Sequence, residues 1–178
     1  MWSGIGVTLN FMITTKRLLL KEFQLEDAAF VLELVNTPAW LQYIGDRSVY
    51  SIADAEKYLR DRLIASYATH GFGVYNAWHI EKDSPIGMCG LVNRAHLKCP
   101  DLGFAFLPNF VGKGYAFEAS QAVLNFAKQE LKLAELCAIT LPDNLPSNGL
   151  LKKLGFELKQ HIQMPDDEDE LCLYQKVI

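Results

Sequence analysis

Hydrophobic and polar positions fall into blocks whose period changes along the chain. Residues 17–23 read as a first strand, and 26–36 as a helix with acids in its first turn and Pro38 beyond its end. A short aromatic turn or helix covers 40–44. Ser51-x-x-Asp54 resembles a capping box that opens a helix to about residue 69, closed by His70-Gly71. Apolar runs at 73–80 and 85–92, joined by the polar turn 81–84, predict a hairpin, and 101–107 predicts a third strand beside it. Next comes an amphipathic helix with Ala116, Ala119, Ala122, Val123, Phe126 and Ala127 on one face. A short β-type run at 136–140 leads through a Pro/Asn/Ser loop into a helix over 147–154, ended by Gly155. Strands at 156–163 and 171–177 complete the order β-α-α-β-β-β-α-β-α-β-β. No repeat or low-complexity linker divides it, so one α/β domain over residues 12–178 is expected.

Composition narrows the class. With 178 residues and 50% apolar content, the chain has material for one sizeable core. The net charge of −4 comes from the acidic run 166–170, and the remainder is close to neutral. No basic stripe argues for nucleic acid, and no apolar run argues for a membrane span. The acidic run reads most simply as a solvated loop, or else as an attractor of a cationic substrate. Cys89, Cys99, Cys137 and Cys172 show no metal-ligand spacing; three of them lie inside apolar runs, and as free thiols they suit the reducing cytoplasm. Residues 1–11 lack the marks of a secretion signal and are expected to be a flexible extension, with Met12 an alternative natural start. No metal is expected, and the assembly expected is a monomer or homodimer.

Residues 104–118 carry the most chemistry. An apolar strand ends at Pro108, Gly112 and Gly114 bracket Lys113, and a helix follows. That order suits a phosphate held by backbone N–H groups at a helix N-terminus. A P-loop would need glycine where Leu107 stands and Ser or Thr where Gly114 stands. A dinucleotide fingerprint would need a small residue where Phe117 stands. The segment Asn109-Phe-Val-Gly112-Lys-Gly114 instead resembles the pyrophosphate loop of the GNAT superfamily of acyl-CoA-dependent N-acetyltransferases, with Asn109 in place of Gln or Arg. Gly-Lys-Gly-Tyr-Ala-Phe-Glu-Ala at 112–119 looks most like the RimJ/RimL-type branch, the relatives of ribosomal-protein N-terminal acetyltransferases. A second match, Asn144-x-x-Ser147 followed by Lys153-x-Gly155-Phe156, extends the resemblance over about 17–177.

The resemblance implies a GNAT fold: a mixed, mostly antiparallel central sheet, splayed between its fourth and fifth strands, with helices on both faces. It implies acetyl-CoA as co-substrate and an amine acceptor. Amides of Val111, Gly112, Lys113, Gly114, Tyr115 and Ala116 would hold the pyrophosphate. Ala105, Phe106 and Leu107 would pair with the pantetheine arm, which Asn144 would bond from the facing side or, alternatively, Asn144 would only stabilise its own turn. Asp101 stands where family members often carry the glutamate that serves as base; the alternative is an exposed charge at a strand start. The usual tyrosine acid is replaced by Leu151, so Ser147 becomes the candidate acid, or only the helix N-cap. Trp40, Tyr43 and Phe72 lie in the segments that form the acceptor wall. Glu118 reads as structural, and His70 and His96 as surface residues. Lys153 is a candidate either for CoA phosphate or for capping its helix. Direct transfer from acetyl-CoA to a primary amine is the leading expectation; the alternative is a non-catalytic acyl-CoA-binding module on the same fold.

Overall fold

The computed structural model describes residues 11–165 and 169–178. The expected extension therefore lies outside the described residues up to residue 10, as does the acidic run over 166–168. Phe11 packs against Tyr75 and Phe126, with ring centroids 5.2 and 4.6 Å apart.

One open sheet organises the described residues. Its strands are β1 (Met12–Thr14), β2 (Leu18–Lys21), β3 (Val74–His79), β4 (Ser84–Val92), β5 (Asp101–Phe106), β6 (Glu135–Thr140), β7 (Glu157–Gln163) and β8 (Glu170–Val177), in the order β1-β2-β3-β4-β5-β6-β8-β7. Neighbours are antiparallel except β5 and β6, which are parallel and in register at one pair, Asp101 with Cys137. The helices are α1 (Ala28–Val35), α2 (Pro38–Tyr43), α3 (Ile52–Tyr58), α4 (Ala65–His70), α5 (Tyr115–Gln129) and α6 (Leu145–Lys153). The mixed sheet with a splay is thus as expected. Because β1 adds a strand ahead of the first one predicted, the splay falls between the fifth and sixth strands.

The two-residue period of the strands separates two cores. On one face, α5 and α6 cover Leu18, Tyr75, Ile86, Leu102, Val123, Leu136 and Leu151. On the other, α1, α2 and α3 bury Phe23, Val31, Leu34, Trp40, Leu59 and Met88. Strand β5 alternates between them: Phe104 and Phe106 pack with the first core, Ala105 and Leu107 with the second. Gly87 sets the spacing of β5, since a Cβ there would meet the Phe106 ring at 2.4 Å and the Ala105 carbonyl oxygen at 2.6 Å.

Three local differences from the sequence reading have physical causes. The helix expected over 51–69 does start at the Ser51 cap, whose side chain accepts from the Asp54 amide. It then widens into a π-helical turn over Leu59–Ile64 before α4. The second difference is at α6, which begins at Leu145. Its N-cap is Asn144, whose Oδ1 accepts from the Ser147 amide at 3.2 Å, so Ser147 is not the cap. Third, Cys99 and Cys137 are not free thiols but a disulfide, with Cα atoms 5.8 Å apart. It lies at the point where β5 and β6 part, beside the bond from the Cys137 amide to the Pro100 carbonyl.

Closing a loop across a separation of 38 residues contributes about 2–4 kcal/mol through the unfolded chain. Chemical denaturation of Cys99→Ser should show that loss, wild type with reductant should match it, and reductant should not change the variant further.

Candidate active site

Beyond Asp101, β5 pairs only with β4, so its edge toward β6 is open. Residues 103–107 are half-exposed along it. The chain then turns through a single 3₁₀ turn, Pro108–Phe110, into the glycine loop. Gly112 and Gly114 have φ of 76° and 82°, left-handed values that favour residues without a Cβ. Gly114 is the N-cap of α5, and the Glu118 amide closes onto its carbonyl at 3.0 Å. The first-turn amides of α5 have no acceptor within the helix, and with the loop amides they form a concave donor array at its positive end. Val111, Gly112, Lys113 and Gly114 are exposed there, while Tyr115 is buried.

Residues from two distant segments brace this loop. The Tyr115 hydroxyl lies 2.9 Å from His79 Nε2, and His79 Nδ1 accepts from the Lys82 amide at 3.2 Å. His79 Nε2–H is therefore the donor to the Tyr115 oxygen. The Arg17 guanidinium covers a face of the Tyr115 ring, 4.2 Å from its centroid, and Arg17 Nη1 donates to the Lys113 carbonyl at 3.0 Å. Arg17 Nε reaches Glu118 Oε2 at 2.6 Å, while its amide and the Thr15 hydroxyl donate to Oε1 at 2.8 and 2.6 Å. Burial works to raise the Glu118 pKa, but these bonds outweigh it and hold the carboxyl below its ordinary range. Glu118 is thus turned into a structural ion pair.

Across the splay, Asn144 and Ser147 begin α6, and Ser147 is half-buried. At the far end of α6, Lys153 Nζ sits 4.6 Å above the Phe117 ring, which places a second ammonium beside the first turn of α5. At the apex, Asp101 is buried at 2% exposure, not an exposed strand-start charge. Arg94 Nε bridges both of its oxygens at 3.1 and 3.2 Å. Burial raises the Asp101 pKa, and the Arg94 charge only partly offsets that.

The three aromatic residues expected in one acceptor wall are not together. Trp40 is buried on the α1–α3 face, with Nε1 lacking a hydrogen-bond partner. Tyr43 ends α2 and is half-buried. Phe72 belongs to the α5-side core instead. Gly71, at φ of 75°, reverses the chain after α4, and Ser66 Oγ binds the Phe72 carbonyl. His70 and His96 are exposed. Among the described residues no group of three or more His, Cys, Asp or Glu is arranged to hold a metal. Arg17, Arg94 and His79 escaped the sequence reading. No local signal pointed to Arg17, because Glu118 in a first helical turn already suits the helix dipole.

The acetyltransferase (GNAT) domain family matches residues 17–157. The uncharacterized N-acetyltransferase YnaD of Bacillus subtilis (strain 168) is 32% identical over 143 residues, covering 80% of this chain and 81% of that protein. The acetyltransferase (GNAT family) from Bacillus anthracis has the same fold, with a TM-score of 0.78 at 23% identity, covering 94% of this chain and 98% of its own. RimL, a ribosomal L7/L12 alpha-N-protein acetyltransferase solved in complex with coenzyme A, has a TM-score of 0.80 at 18% identity, covering 94% and 98%.

A β-branched side chain at Gly114 meets both the left-handed backbone and the Arg17 guanidinium, 3.4 Å from a Cβ there. Gly114→Val should therefore lose about 1–3 kcal/mol of local conformational energy and weaken CoA binding at least tenfold by calorimetry. Lys113→Ala, which keeps the amides, should cost less than threefold.

Proposed function

The chain belongs to the acetyltransferase (GNAT) family, and on that premise we propose that it passes the acetyl group of acetyl-CoA to a primary amine by direct attack in a ternary complex. The observation that carries this reading is the open β5 edge joined by one 3₁₀ turn to the glycine loop at the start of α5. An extended amide arm can add to that edge as a strand does, along Ala105, Phe106 and Leu107, with its pyrophosphate on the amides of residues 111–116. Asn144 then has one side-chain oxygen committed to its cap and its amide nitrogen left to meet the arm.

The attacking amine must be neutral. An α-amino group of pKa about 8 is roughly a tenth neutral at pH 7, while a lysine of pKa about 10.4 costs about 3 kcal/mol more to deprotonate. An α-amino acceptor, whether a protein N-terminus or a small molecule, is therefore within reach of a modest base. Asp101 is proposed for that role: it shares the face of Ala105 and Leu107 by strand period, and its raised pKa strengthens it as a proton acceptor. Arg94 occupies part of the carboxylate, so the proton travels through an intervening water. Ser147, at the start of α6 across the splay, is proposed to protonate the leaving thiolate. Trp40 and Tyr43 are proposed to face the acceptor, and the unpartnered Trp40 Nε1 supplies a donor for it.

Direct transfer needs no acyl-enzyme, and the thiols support it. The buried Cys89 thiol is pushed up to about 12 by burial, and Cys99 and Cys137 are joined. No helix of the described residues is long and apolar enough to cross a membrane. We assign the reaction to the cytoplasm, where acetyl-CoA is at hand; a disulfide is uncommon in that reducing compartment, and the Cys99–Cys137 bridge is buried.

Thiol release from acetyl-CoA, followed with a panel of short peptides, amino acids, polyamines and aminoglycosides, tests the proposal. Turnover with at least one amine is expected, and tight CoA binding with no turnover for any would instead support an acyl-CoA-binding module. With a working acceptor, Asp101→Asn should lower kcat/KM about a hundredfold. Because only the carboxylate form is a base, the fall of wild-type kcat/KM with pH that amine protonation already imposes should steepen through a second limb lying above the ordinary aspartate value of 3.8. That limb should vanish in the variant. Ser147→Ala should lower kcat and leave CoA affinity intact; full turnover would remove its role.

A further inference from the structure

We propose that Arg17, in the turn between β1 and β2, is a positioning residue that holds the glycine loop in its phosphate-binding shape; this rests on the acetyl-CoA reading above. Three observations converge on it. Arg17 Nη1 holds the Lys113 carbonyl at 3.0 Å. A trans peptide is planar, with its C=O and the following N–H pointing in opposite directions. Fixing the Lys113 carbonyl toward Arg17 therefore turns the Gly114 N–H the other way, into the concave side of the loop.

The second observation concerns the first residue of α5. The Tyr115 ring is held between the Arg17 guanidinium, 4.2 Å from its centroid, and His79, whose Nε2 meets its hydroxyl at 2.9 Å. Both the direction of α5 and the position of its leading amides depend on that clamp. The third is electrostatic. Glu118 is in the first turn of α5, where a free carboxylate would oppose a dianionic pyrophosphate at the same helix end. Arg17 Nε and the Arg17 amide occupy both carboxylate oxygens, at 2.6 and 2.8 Å. The helix end, Lys113 and Lys153 remain as the net positive field. Lysine cannot reproduce this, because one ammonium cannot stack on Tyr115, bind Glu118 and reach the Lys113 carbonyl in a fixed fork.

Calorimetric titration of wild type, Arg17→Lys and Arg17→Gln with CoA and with pantetheine, which keeps the arm but lacks the pyrophosphate, tests the assignment. Thermal melts beside each titration report folding. Both variants should bind CoA at least tenfold more weakly, bind pantetheine as wild type does, and remain folded at the assay temperature. Equal weakening toward CoA and pantetheine would overturn the assignment in favour of general support for the fold, as would unfolding of both variants. Unchanged CoA affinity would overturn it outright while leaving the acetyl-CoA reading standing. Wild type that fails to bind CoA would sink that reading, and this one with it.

Discussion

The parallel contact between β5 and β6 is one residue pair wide, and the rest of the molecule is arranged around that limit. Right-handed twist accumulates across an open sheet of this width, and a parallel pair that stops after one register position lets the two halves diverge. Asp101 and Cys137 mark where divergence begins. The hydrogen bond from Cys137 to Pro100 and the Cys99–Cys137 bridge hold the apex together. Everything beyond the apex on the β5 edge is left without a strand partner. Exposed strand edges are ordinarily a hazard for aggregation. Here α5 and α6 flank the opening, and the edge is short and ends in a 3₁₀ turn.

The charges nearby follow from that geometry. A helix that starts at the end of an open strand presents its amides to whatever lies along the strand. Its own first-turn carboxylate must then be removed from the field. Turning Glu118 onto Arg17 and Thr15 does so, and lets the same ion pair tie the first hairpin to the functional loop. Arg94 has a parallel role toward Asp101, but there burial wins over the neighbouring charge and leaves a carboxylate that binds a proton more readily.

How much of this could be read from the residues alone depended on separation along the chain. The glycine loop, the helix that follows it and the strand that precedes it are local, and the period of Ala119, Val123 and Phe126 marked one face of that helix as buried. The short strand β1 was missed because three residues carry too little pattern to register. Asn144 and Ser147 both suit a helix start, and only the bonds from the Ser147 amide to Asn144 Oδ1 and from the Asn148 amide to the Asn144 carbonyl show which one precedes the first turn. Phe72 was grouped with Trp40 as an aromatic of the acceptor segments, yet the left-handed turn at Gly71 sends it to the opposite core. Arg17 and Glu118, or Cys99 and Cys137, are pairs that no local pattern announces. Their meeting is a product of sheet order, and in a single sequence each residue looks like an ordinary surface charge or a small apolar side chain.

The π-helical turn at Leu59–Ile64 has a consequence for how this face can vary. Ala55, Leu59 and Leu63 are buried in the α1–α3 core at four-residue intervals, and Tyr67, four residues further, puts its hydroxyl between the Phe23 amide and the Val74 carbonyl. In an unbroken α-helix such a stripe rotates steadily around the axis, since 3.6 does not divide into fours. The widened turn takes up the excess and keeps all four in line. Removing one residue from the turn would restore a regular helix in which the eleven steps left between Ala55 and Tyr67 make about three turns, so Tyr67 keeps its direction and shifts about 1.5 Å along the axis. A second inserted residue would instead turn Tyr67 about 100° away from both main-chain partners, so this segment can shorten by the residue the wide turn holds but cannot lengthen.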